Sequence, residues 1–490
     1  MELKDIKAIN QRIYELDDKI SRESKVIFIS TLVFILTKNT DFQNVGKLTE
    51  FVNFADEKNK PVDQLINLAK NEIEKMGLVD SAKIAVLGSL DTISGANTKL
   101  NSNKTELKSF ISDFISKYFV SIKPEDLFFE TLYMEIDKKA GKSDDGIVLT
   151  PVFAAQLMVD LAEIDYKKDV IADLCSGTGL FSLLSYSKML SDMNADLNSG
   201  LISQEEYKGY SKRLYNSIIA NDNDPKMATL CLANFLLKSL NHSLLFSENV
   251  LDLQKSNFKV ENVRIQPTKA ILNPPYEDKL KPLEIVEKNI QLVKNNENSG
   301  NKVIVIIPPQ KFGQKKDIFS RILNLATLIS VIKTQDDLFK DSGKAQPASI
   351  FVFNVDKPHT KDDIVHYYNF TDTGYVYLKD SGLVDKNHTY GDKKKILLEK
   401  IRNASNDLKE DEITRSWDNF YDVNMELEIA TKIDPNKIKT SNEEADITLE
   451  NITIKKMLKE KQKLINDSDN SFIDKDGTFE KYIIDILSED

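Results

Sequence analysis

Hydrophobic and polar residues in the first 140 positions follow the period of an α-helix. Two series show this spacing: Ile9, Ile13, Leu16 and Ile20, and further along Leu65, Leu68, Ile73 and Met76. The apolar stretch 26–36 (VIFISTLVFIL) is interrupted by Ser30 and Thr31. It is much shorter than the roughly 20 residues of a membrane span, so it predicts a buried helix. We predict an N-terminal helical domain over residues 1–140.

A second pattern begins near residue 146, where short β-rich segments alternate with helical ones. The segments are DVIADLC (169–175), SIIAND (217–222), SLLFSEN (243–249), KAILNPP (269–275), KVIVIIPP (302–309), LISVIKT (328–334) and SIFVFNV (349–355). Continuous apolar strands separated by helices indicate a mostly parallel sheet covered on both faces. We predict a doubly wound α/β domain over residues 141–360, with SIFVFNV as an antiparallel strand near the sheet edge.

The pattern weakens beyond residue 360. HYYNF and GYVYL suggest a small β unit, and polar helices such as KKKILLEKIRNA follow it. We therefore predict a mainly helical C-terminal extension over residues 361–490. Its expected role is the docking of a partner.

The segment DLCSGTG, from Asp173 to Gly179, leaves an apolar strand and enters an apolar helix. Gly177 and Gly179 allow a sharp turn and a close backbone approach to a ligand, although an ordinary strand–helix connection also fits such a turn. After the next strand, the carboxylate of Asp222 can accept both hydroxyls of a ribose. A dinucleotide motif would have a third glycine where Ser182 stands, and no basic phosphate cradle is evident. An adenosyl ligand without phosphates therefore fits better than NAD.

The tetrapeptide Asn273-Pro274-Pro275-Tyr276 follows the fourth predicted strand, at the sheet edge where ligands bind. The carboxamide oxygen of Asn273 and the carbonyl of Pro274 can accept the two N–H groups of a conjugated amine and stabilise its developing positive charge. The two prolines hold these acceptors rigid, and Tyr276 offers an aromatic face to a planar base. A rigid turn is the alternative for the tetrapeptide alone, but its order after DLCSGTG and Asp222 favours methylation of an amine.

With these motifs the chain resembles the N6-adenine DNA methyltransferases, and more closely the modification subunit of type I restriction–modification enzymes. The resemblance covers residues 1–400 and includes the lead-in GIVLTP (146–151). It implies an S-adenosyl-L-methionine-dependent methyltransferase sheet and double-stranded DNA as the substrate. The cofactor-binding residues that it implies are Thr150, Pro151, Asp173, Cys175, Gly177, Gly179, Phe181, Asp222 and, more loosely, Asn249 with Asp252 as an alternative.

Three other functions remain open from the sequence. Glutamine-N5 protein methyltransferases share the NPPY motif but resemble much shorter chains without the LTP lead-in. An RNA methyltransferase would be expected to carry an RNA-binding module, and none is recognisable. A non-catalytic scaffold that binds S-adenosylmethionine would be expected to lose NPPY, which is intact here.

The net charge of −11 affects how DNA would be recognised, because phosphate contacts need clustered Lys and Arg. Residues 401–490 hold 13 Lys and Arg against 22 Asp and Glu, so most of the acidity lies there. The single tryptophan, Trp417, fits a packing anchor better than a base-stacking residue. We therefore expect a separate specificity subunit to recognise the DNA sequence, and cleavage to need a nuclease subunit.

The cysteines and histidines suggest neither disulfide nor metal chemistry. Cys175 and Cys231 are too few for a disulfide framework or a four-ligand zinc site. The four histidines lack metal-ligand spacing, and no secretory signal or membrane span is evident. We expect a cytoplasmic protein without a metal site or a membrane partner.

Overall fold

The structure is a computed structural model. It describes residues 1–54, 56, 58, 60–94, 99–123, 126–140, 149–295, 299–340, 347–378, 382–405, 429–435 and 438. The chain divides into two units, Met1–Lys437 and Ile438–Asp490.

The N-terminal region is helical, as its periodicity predicts. Its helices are α1 (Leu3–Leu16), α2 (Arg22–Lys38), α3 (Val45–Val52), α4 (Pro61–Glu74), α5 (Asp80–Ser94), α6 (Lys104–Asp113) and α7 (Phe128–Ala140). The apolar stretch 26–36 is buried throughout within α2, which confirms the predicted buried helix. Its hydroxyls are accommodated because Ser30 and Thr31 donate to backbone carbonyls four residues earlier, at 2.9 Å each. Among the described residues, no helix is long and apolar enough to span a membrane.

The centre of the first unit is a mixed β-sheet. The strands are β1 (Ile171–Asp173), β2 (Ile218–Asn221), β3 (Leu245–Phe246), β4 (Lys259–Val260), β5 (Val263–Arg264), β6 (Lys269–Leu272), β7 (Lys302–Ile307), β8 (Thr327–Thr334), β9 (Ser349–Asn354), β10 (Ile364–Phe370), β11 (Tyr375–Leu378), β12 (Gly382–Asp385) and β13 (Ile429–Lys432). Nine of them form one sheet in the order β13-β10-β8-β9-β7-β6-β1-β2-β3, while β4–β5 and β11–β12 are separate hairpins. The pairings from β7 through β6, β1 and β2 to β3 are all parallel.

Helices cover the strands of this sheet. They are α8 (Val152–Leu161), α9 (Leu180–Asn198), α10 (Gln204–Tyr215), α11 (Pro225–Leu237), α12 (Pro282–Val293), α13 (Gln310–Gln314), α14 (Lys316–Leu325) and α15 (Tyr390–Arg402). Ten consecutive residues of α11, 227–236, are buried, because α2 and α5 of the N-terminal region pack against it. The N-terminal helices therefore contact the sheet domain through α11. A helix that is apolar on all sides, as α11 is, is expected to be buried on all sides.

The strand predictions agree with the structure except at two places. SIFVFNV is antiparallel as predicted, since β9 pairs antiparallel with both β7 and β8. Its expected position near the sheet edge is wrong, because β8 and β10 extend the sheet beyond it. HYYNF does not form a separate unit with GYVYL: β10 joins the main sheet parallel to β8, and β11 pairs with β12.

The sheet thus continues past residue 360, where the sequence analysis places the start of the C-terminal extension. Helix α15 contains the predicted polar helical segment KKKILLEKIR. Most of the remaining extension, including Trp417, lies outside the described residues. The boundaries at 140 and 360, and the docking role of the extension, stay predictions.

The strand order reverses beside β1. The chain runs from β1 to β2 and β3 on one side, and later continues through β6 and β7 on the other side. In parallel sheets, a crevice opens at the carboxyl ends of the strands where the order reverses. Because β1 and β6 are neighbours, the residues that follow these two strands lie at this reversal.

Candidate active site

The loop between β1 and α9 is shaped by two glycines with positive φ. Gly177 has φ +53° and Gly179 has φ +89°. A Cβ at Gly179 would lie 2.9 Å from the Sγ of Cys231 on α11, whereas one at Gly177 would meet nothing within 4 Å. Both positions favour glycine by their φ, but only Gly179 also requires it for space. The loop can therefore pass closely over the first turn of α9 and over α11.

Asp173, at the end of β1, is completely buried. Its Oδ2 accepts hydrogen bonds from the backbone N–H of Ser182 at 3.0 Å and from its hydroxyl at 2.8 Å. Its Oδ1 is also buried and has no hydrogen-bond partner among the described residues. Burial raises the pKa of Asp173 to about 7, with a smaller contribution from the charge of Asp222. Ser182 thus has a structural role at the place where a dinucleotide motif has its third glycine.

Asp222 follows β2 and is linked to the β1 loop. Its carboxylate accepts the backbone N–H of Gly177 at 2.7 Å and that of Asp224 at 2.9 Å. Burial raises the pKa of Asp222 to about 6, although these two hydrogen bonds oppose the shift. The structure therefore brings two predicted residues together, one from each motif, 45 positions apart in sequence.

The predicted residues after β3 and at the start of α9 differ in exposure. The loop after β3 is joined to β2, because the N–H of Glu248 donates to the Oδ1 of Asn221 at 3.0 Å. Asn249, which follows, is exposed and accepts the N–H of Leu251 at 3.2 Å. Phe181 is buried in the first turn of α9. No described hydrogen bond connects Asn249 to Asp222, so its place at the site stays a prediction.

Cys175 lies in the same loop and is half-buried. Burial, together with the charges of Asp222 and Asp173, raises the pKa of its thiol well above the ordinary range. The thiol is therefore neutral at physiological pH and is a poor nucleophile.

Asn273 follows β6 directly and contacts the lead-in segment before α8. The Nδ2 of Asn273 donates to the Oγ1 of Thr150 at 3.0 Å. Thr150 is buried, and Pro151 stands immediately before the first residue of α8. Two motifs separated by 123 residues in sequence are thus in direct contact, and the nitrogen end of the Asn273 carboxamide is held by this contact.

Tyr276 is more enclosed than its predicted role suggests. Its side chain is 6% exposed, and its ring meets that of Phe339 edge to face, with the ring centroids 5.8 Å apart and the planes at 84°. The hydroxyl is buried without a hydrogen-bond partner among the described residues, and burial raises its pKa well above the ordinary range. Pro274 is buried and Pro275 is half-buried.

The sequence analysis missed two residues that hold the loop between β1 and α9, Glu130 and Asn234. The hydroxyl of Thr178 donates to the Oε2 of Glu130 on α7, and the Nδ2 of Asn234 on α11 donates to the carbonyl of Thr178 at 2.8 Å. A signal for Glu130 was present, because this acid stands among the apolar residues of FFETLYMEI. Phe129, Leu132 and Tyr133 around it are buried, as is Glu130 itself.

A cluster of aromatic residues fastens the lead-in segment from the other side. The rings of Phe153 on α8 and Tyr375 on β11 stack at 3.9 Å with an angle of 12°. Tyr390, in the first turn of α15, donates its hydroxyl to the backbone carbonyl of Phe153. The segment from Thr150 to Phe153 is thus held between Asn273 and the elements that follow β10. Within the described ranges, no three His, Cys, Asp or Glu residues are grouped as metal ligands.

Comparisons with known proteins found sequence similarity to a curated restriction–modification protein. No protein-family model matches the chain. The type II restriction enzyme and methyltransferase RM.BcgI of Heyndrickxia coagulans is 26% identical over 357 residues, which are 68% of this chain and 52% of that protein. The chain therefore spans about half the length of this curated relative.

Two solved structures share the fold. A modification subunit assigned to a type I restriction enzyme of Vibrio vulnificus superposes with a TM-score of 0.56 at 15% identity, covering 82% of this chain and 90% of that one. A chain from a study of complex assembly and conformational transition in the type I restriction–modification system superposes with a TM-score of 0.54 at 14% identity, covering 95% and 98%. At these identities the likeness concerns the fold. The chain shares its mostly parallel α/β fold with these two structures, as the alternation of apolar strands and helices predicted.

Proposed function

We propose that this chain transfers a methyl group from S-adenosylmethionine to the N6 atom of adenine in double-stranded DNA, as the modification subunit of a restriction–modification complex. The observation that carries the proposal is the contact between Asn273 and Thr150 at the reversal of the strand order. It joins the NPPY motif to the lead-in of α8, next to the β1 loop that ends in Gly179.

The residues at the β1 loop fit the cofactor. The buried Oδ1 of Asp173 has no hydrogen-bond partner among the described residues, which suits an acid that awaits donors from a ligand. Gly177 leaves the backbone open to close approach, because a Cβ there would meet nothing within 4 Å, and Asp222 offers a carboxylate to the ribose hydroxyls. When bound, S-adenosylmethionine supplies an electrophilic methyl group on its sulfonium.

The residues after β6 would act on the amine of the base. The lone pair of adenine N6 is delocalised into the ring, so the amine needs to be drawn toward tetrahedral geometry. We assign the Oδ1 of Asn273 and the carbonyl of Pro274 as acceptors of its two N–H groups. The hydrogen bond from Nδ2 to Thr150 orients the carboxamide before the base arrives, and such preorganisation is the main source of electrostatic catalysis.

Base binding requires a local change around Tyr276. Flipping a base out of the duplex costs a few kcal/mol, and stacking on an aromatic ring contributes about 1–3 kcal/mol in return. In the described structure, Phe339 packs against the ring of Tyr276 and little of this side chain is exposed. The state that accepts a base therefore differs from this one at Phe339.

Adenine in DNA is favoured over the other amine substrates by two observations. The lead-in residue Thr150 contacts Asn273, and the similarity to restriction–modification proteins includes the curated relative as well as both superposed structures. Glutamine in a protein and an RNA base remain the alternatives to be tested. A non-catalytic scaffold is disfavoured by the intact and preorganised motif.

Recognition of the DNA sequence is assigned to a partner. The net charge is −11, with the acidity concentrated after residue 400, which is unsuited to a DNA-reading surface of its own. We propose a separate specificity subunit for recognition and a nuclease subunit for cleavage, with this chain in the cytoplasm as the methyl-transferring component.

The test is methyl transfer from labelled S-adenosylmethionine to double-stranded DNA, RNA and glutamine-containing peptides in parallel. We expect label on DNA only, most strongly with the product of the neighbouring gene present. Asn273→Ala should reduce the rate by about 100- to 1,000-fold, as expected for the loss of one preorganised polar group, while the binding of S-adenosylhomocysteine stays intact. Label on RNA or peptide, or an unchanged rate in the Asn273→Ala variant, would contradict the proposal.

A further inference from the structure

Glu130 is an acidic residue of the N-terminal helical region that contacts the loop between β1 and α9. It lies on α7, is 2% exposed, and its Oε2 accepts the hydroxyl of Thr178, which stands between Gly177 and Gly179. The other oxygen, Oε1, is buried and accepts no hydrogen bond from any described residue. The Oε2 atom thus holds the loop, whereas the Oε1 atom has no identified role.

An unpaired carboxylate oxygen in the interior calls for an explanation. Burying a charged group without hydrogen bonds or an opposite charge costs several kcal/mol, so native structures rarely contain one without a ligand or a function. Burial raises the pKa of Glu130 to about 7, and among the described residues the only opposing influence identified is the hydrogen bond from Thr178. No described Lys or Arg contributes to this balance.

A second acid at the same loop has the same property. The Oδ2 of Asp173 is used by Ser182, whereas its Oδ1 is buried and has no partner in the described part of the chain. Thr178 and Ser182 are four positions apart, across the turn that begins α9. Both acids therefore hold the segment 178–182 through one carboxylate oxygen, and the other oxygen of each acid is a buried acceptor without a partner among the described residues.

A primary ammonium group has the complementary chemistry, because it carries a positive charge and three N–H donors. We propose that Glu130, together with Asp173, binds the α-ammonium group of the methionine moiety of the cofactor. This assignment rests on the proposed function and adds a residue of the N-terminal helical region to the cofactor site. It also gives α7 a direct role in binding, since the cofactor would join α7 to the β1 loop.

The alternative is that Glu130 only holds Thr178 in place. The two roles of Glu130 can be distinguished by the affinities for ligands with and without the amino group. If Glu130 only holds the loop in place, its replacement should affect the binding of all adenosyl ligands equally. The probes are S-adenosylhomocysteine, its analogue that lacks the α-amino group, and 5′-methylthioadenosine, which lacks the whole amino-acid portion. Isothermal titration calorimetry on the full-length chain measures each dissociation constant without any need for methyl transfer.

In the wild-type chain, we expect removal of the amino group to weaken binding by about 10- to 100-fold, the range of one or two charge-assisted hydrogen bonds. Glu130→Gln should weaken the binding of S-adenosylhomocysteine by a similar factor and change that of 5′-methylthioadenosine by less than about threefold. Glu135→Gln is the matched control, because Glu135 is a buried acid on the same helix. It should leave both affinities unchanged.

Thr178→Val removes the contact between the loop and Glu130 but keeps the carboxylate. It should retain most of the preference for the ligand with an amine. Equal losses for both ligands in Glu130→Gln, or no effect of the amino group in the wild-type chain, would overturn the assignment and leave the proposed function standing. If the wild-type chain binds none of these ligands, the cofactor of the proposed function is wrong, and the assignment is wrong with it.

Discussion

Three carboxyl groups around the β1 loop have pKa values raised by burial. The pKa values of Glu130 and Asp173 rise to about 7, and that of Asp222 rises to about 6. Without a ligand, the folded state binds protons more tightly than the unfolded chain at these positions. Their contribution to stability is therefore greatest at acidic pH and is lost as the pH rises through 6 to 7.

The same shifts predict how cofactor binding depends on pH. An acid that receives an ammonium group or ribose hydroxyls must be ionised, so binding should expel the proton that it holds below its raised pKa. We expect the affinity for S-adenosylhomocysteine to fall as the pH is lowered from 7.5 to 5.5, by up to about tenfold per unit for each proton released.

Calorimetric titrations at pH 6.5 in buffers with different ionisation enthalpies would count these protons directly. The expected result is a net release of protons on binding, which Glu130→Gln reduces. A binding enthalpy that is independent of the buffer would show that these acids do not change their protonation with the ligand.

At the scale of the elements, the turn between β1 and α9 depends on its glycines to different degrees. Gly179 has φ +89° and a Cβ there would meet the Sγ of Cys231 at 2.9 Å, while Gly177 has φ +53° and open space around it. We predict that Gly179→Ala lowers the free energy of unfolding by about 2–4 kcal/mol, from strain and overpacking together. Gly177→Ala should lower it by only about 1 kcal/mol.

Chemical denaturation of both variants provides this comparison, and the cause of the difference can be tested in the same experiment. Cys231→Ala removes the sulfur that an alanine at position 179 would meet. Gly179→Ala should therefore lower the free energy of unfolding by less in the Cys231→Ala background than in the wild-type chain. If Gly177→Ala is the more damaging change, the close approach of Gly179 to α11 is not what limits this turn.

The elements that the sequence predicts are those whose hydrophobic pattern is local. Helix α2 and the strands β1, β2, β6 and β7 are buried on all sides, so continuous apolar runs identify them without knowledge of their neighbours. The position of β9 inside the sheet could not be predicted in this way. It depends on the pairing of β10 with β8. Strand β10 comes later in the chain and has its own alternating burial pattern, so the local pattern of β9 does not indicate this pairing.

The residues of the candidate site show the same difference between local sequence signals and contacts that are distant in sequence. Asp173, Asp222 and Asn273 could be proposed because each ends a strand in a recognisable motif. Glu130 and Phe339 were not identified, since their place at the site depends on contacts 48 and 63 residues away in sequence, with Thr178 and Tyr276 respectively. A charged residue within an apolar helical pattern was the only local sign of Glu130.

At the scale of the molecule, the strands beyond residue 360 complete the sheet. Val365, Tyr367 and Phe370 of β10 are buried, and this strand covers the edge of β8. We predict that a chain ending at residue 360 aggregates or unfolds without cooperativity, because the apolar edge of β8 would be exposed. A chain ending at Lys437, the limit of the first unit, should melt cooperatively within a few degrees of the full-length chain.

Thermal unfolding followed by circular dichroism, with light scattering to detect aggregation, would compare these two chains with the full-length protein. A soluble and cooperatively folded chain ending at residue 360 would contradict the description of β10 as an integral strand. It would support the boundary that the sequence pattern alone indicated.

The acidic character of the chain supports the proposal that a partner recognises the DNA. In that proposal, the site at the reversal of the strand order would supply the hydrogen-bond acceptors, the aromatic ring for the base and the loop that binds the cofactor. Identification of the methylated atom would distinguish adenine methylation from the alternatives.

Double-stranded DNA would be incubated with the chain and S-adenosylmethionine, with and without the product of the neighbouring gene, and then digested to nucleosides for mass spectrometry. The proposed function predicts N6-methyl-2′-deoxyadenosine, which should form about 100- to 1,000-fold more slowly with Asn273→Ala. Methyl groups on cytosine N4, or on protein while the DNA stays unmodified, would contradict it.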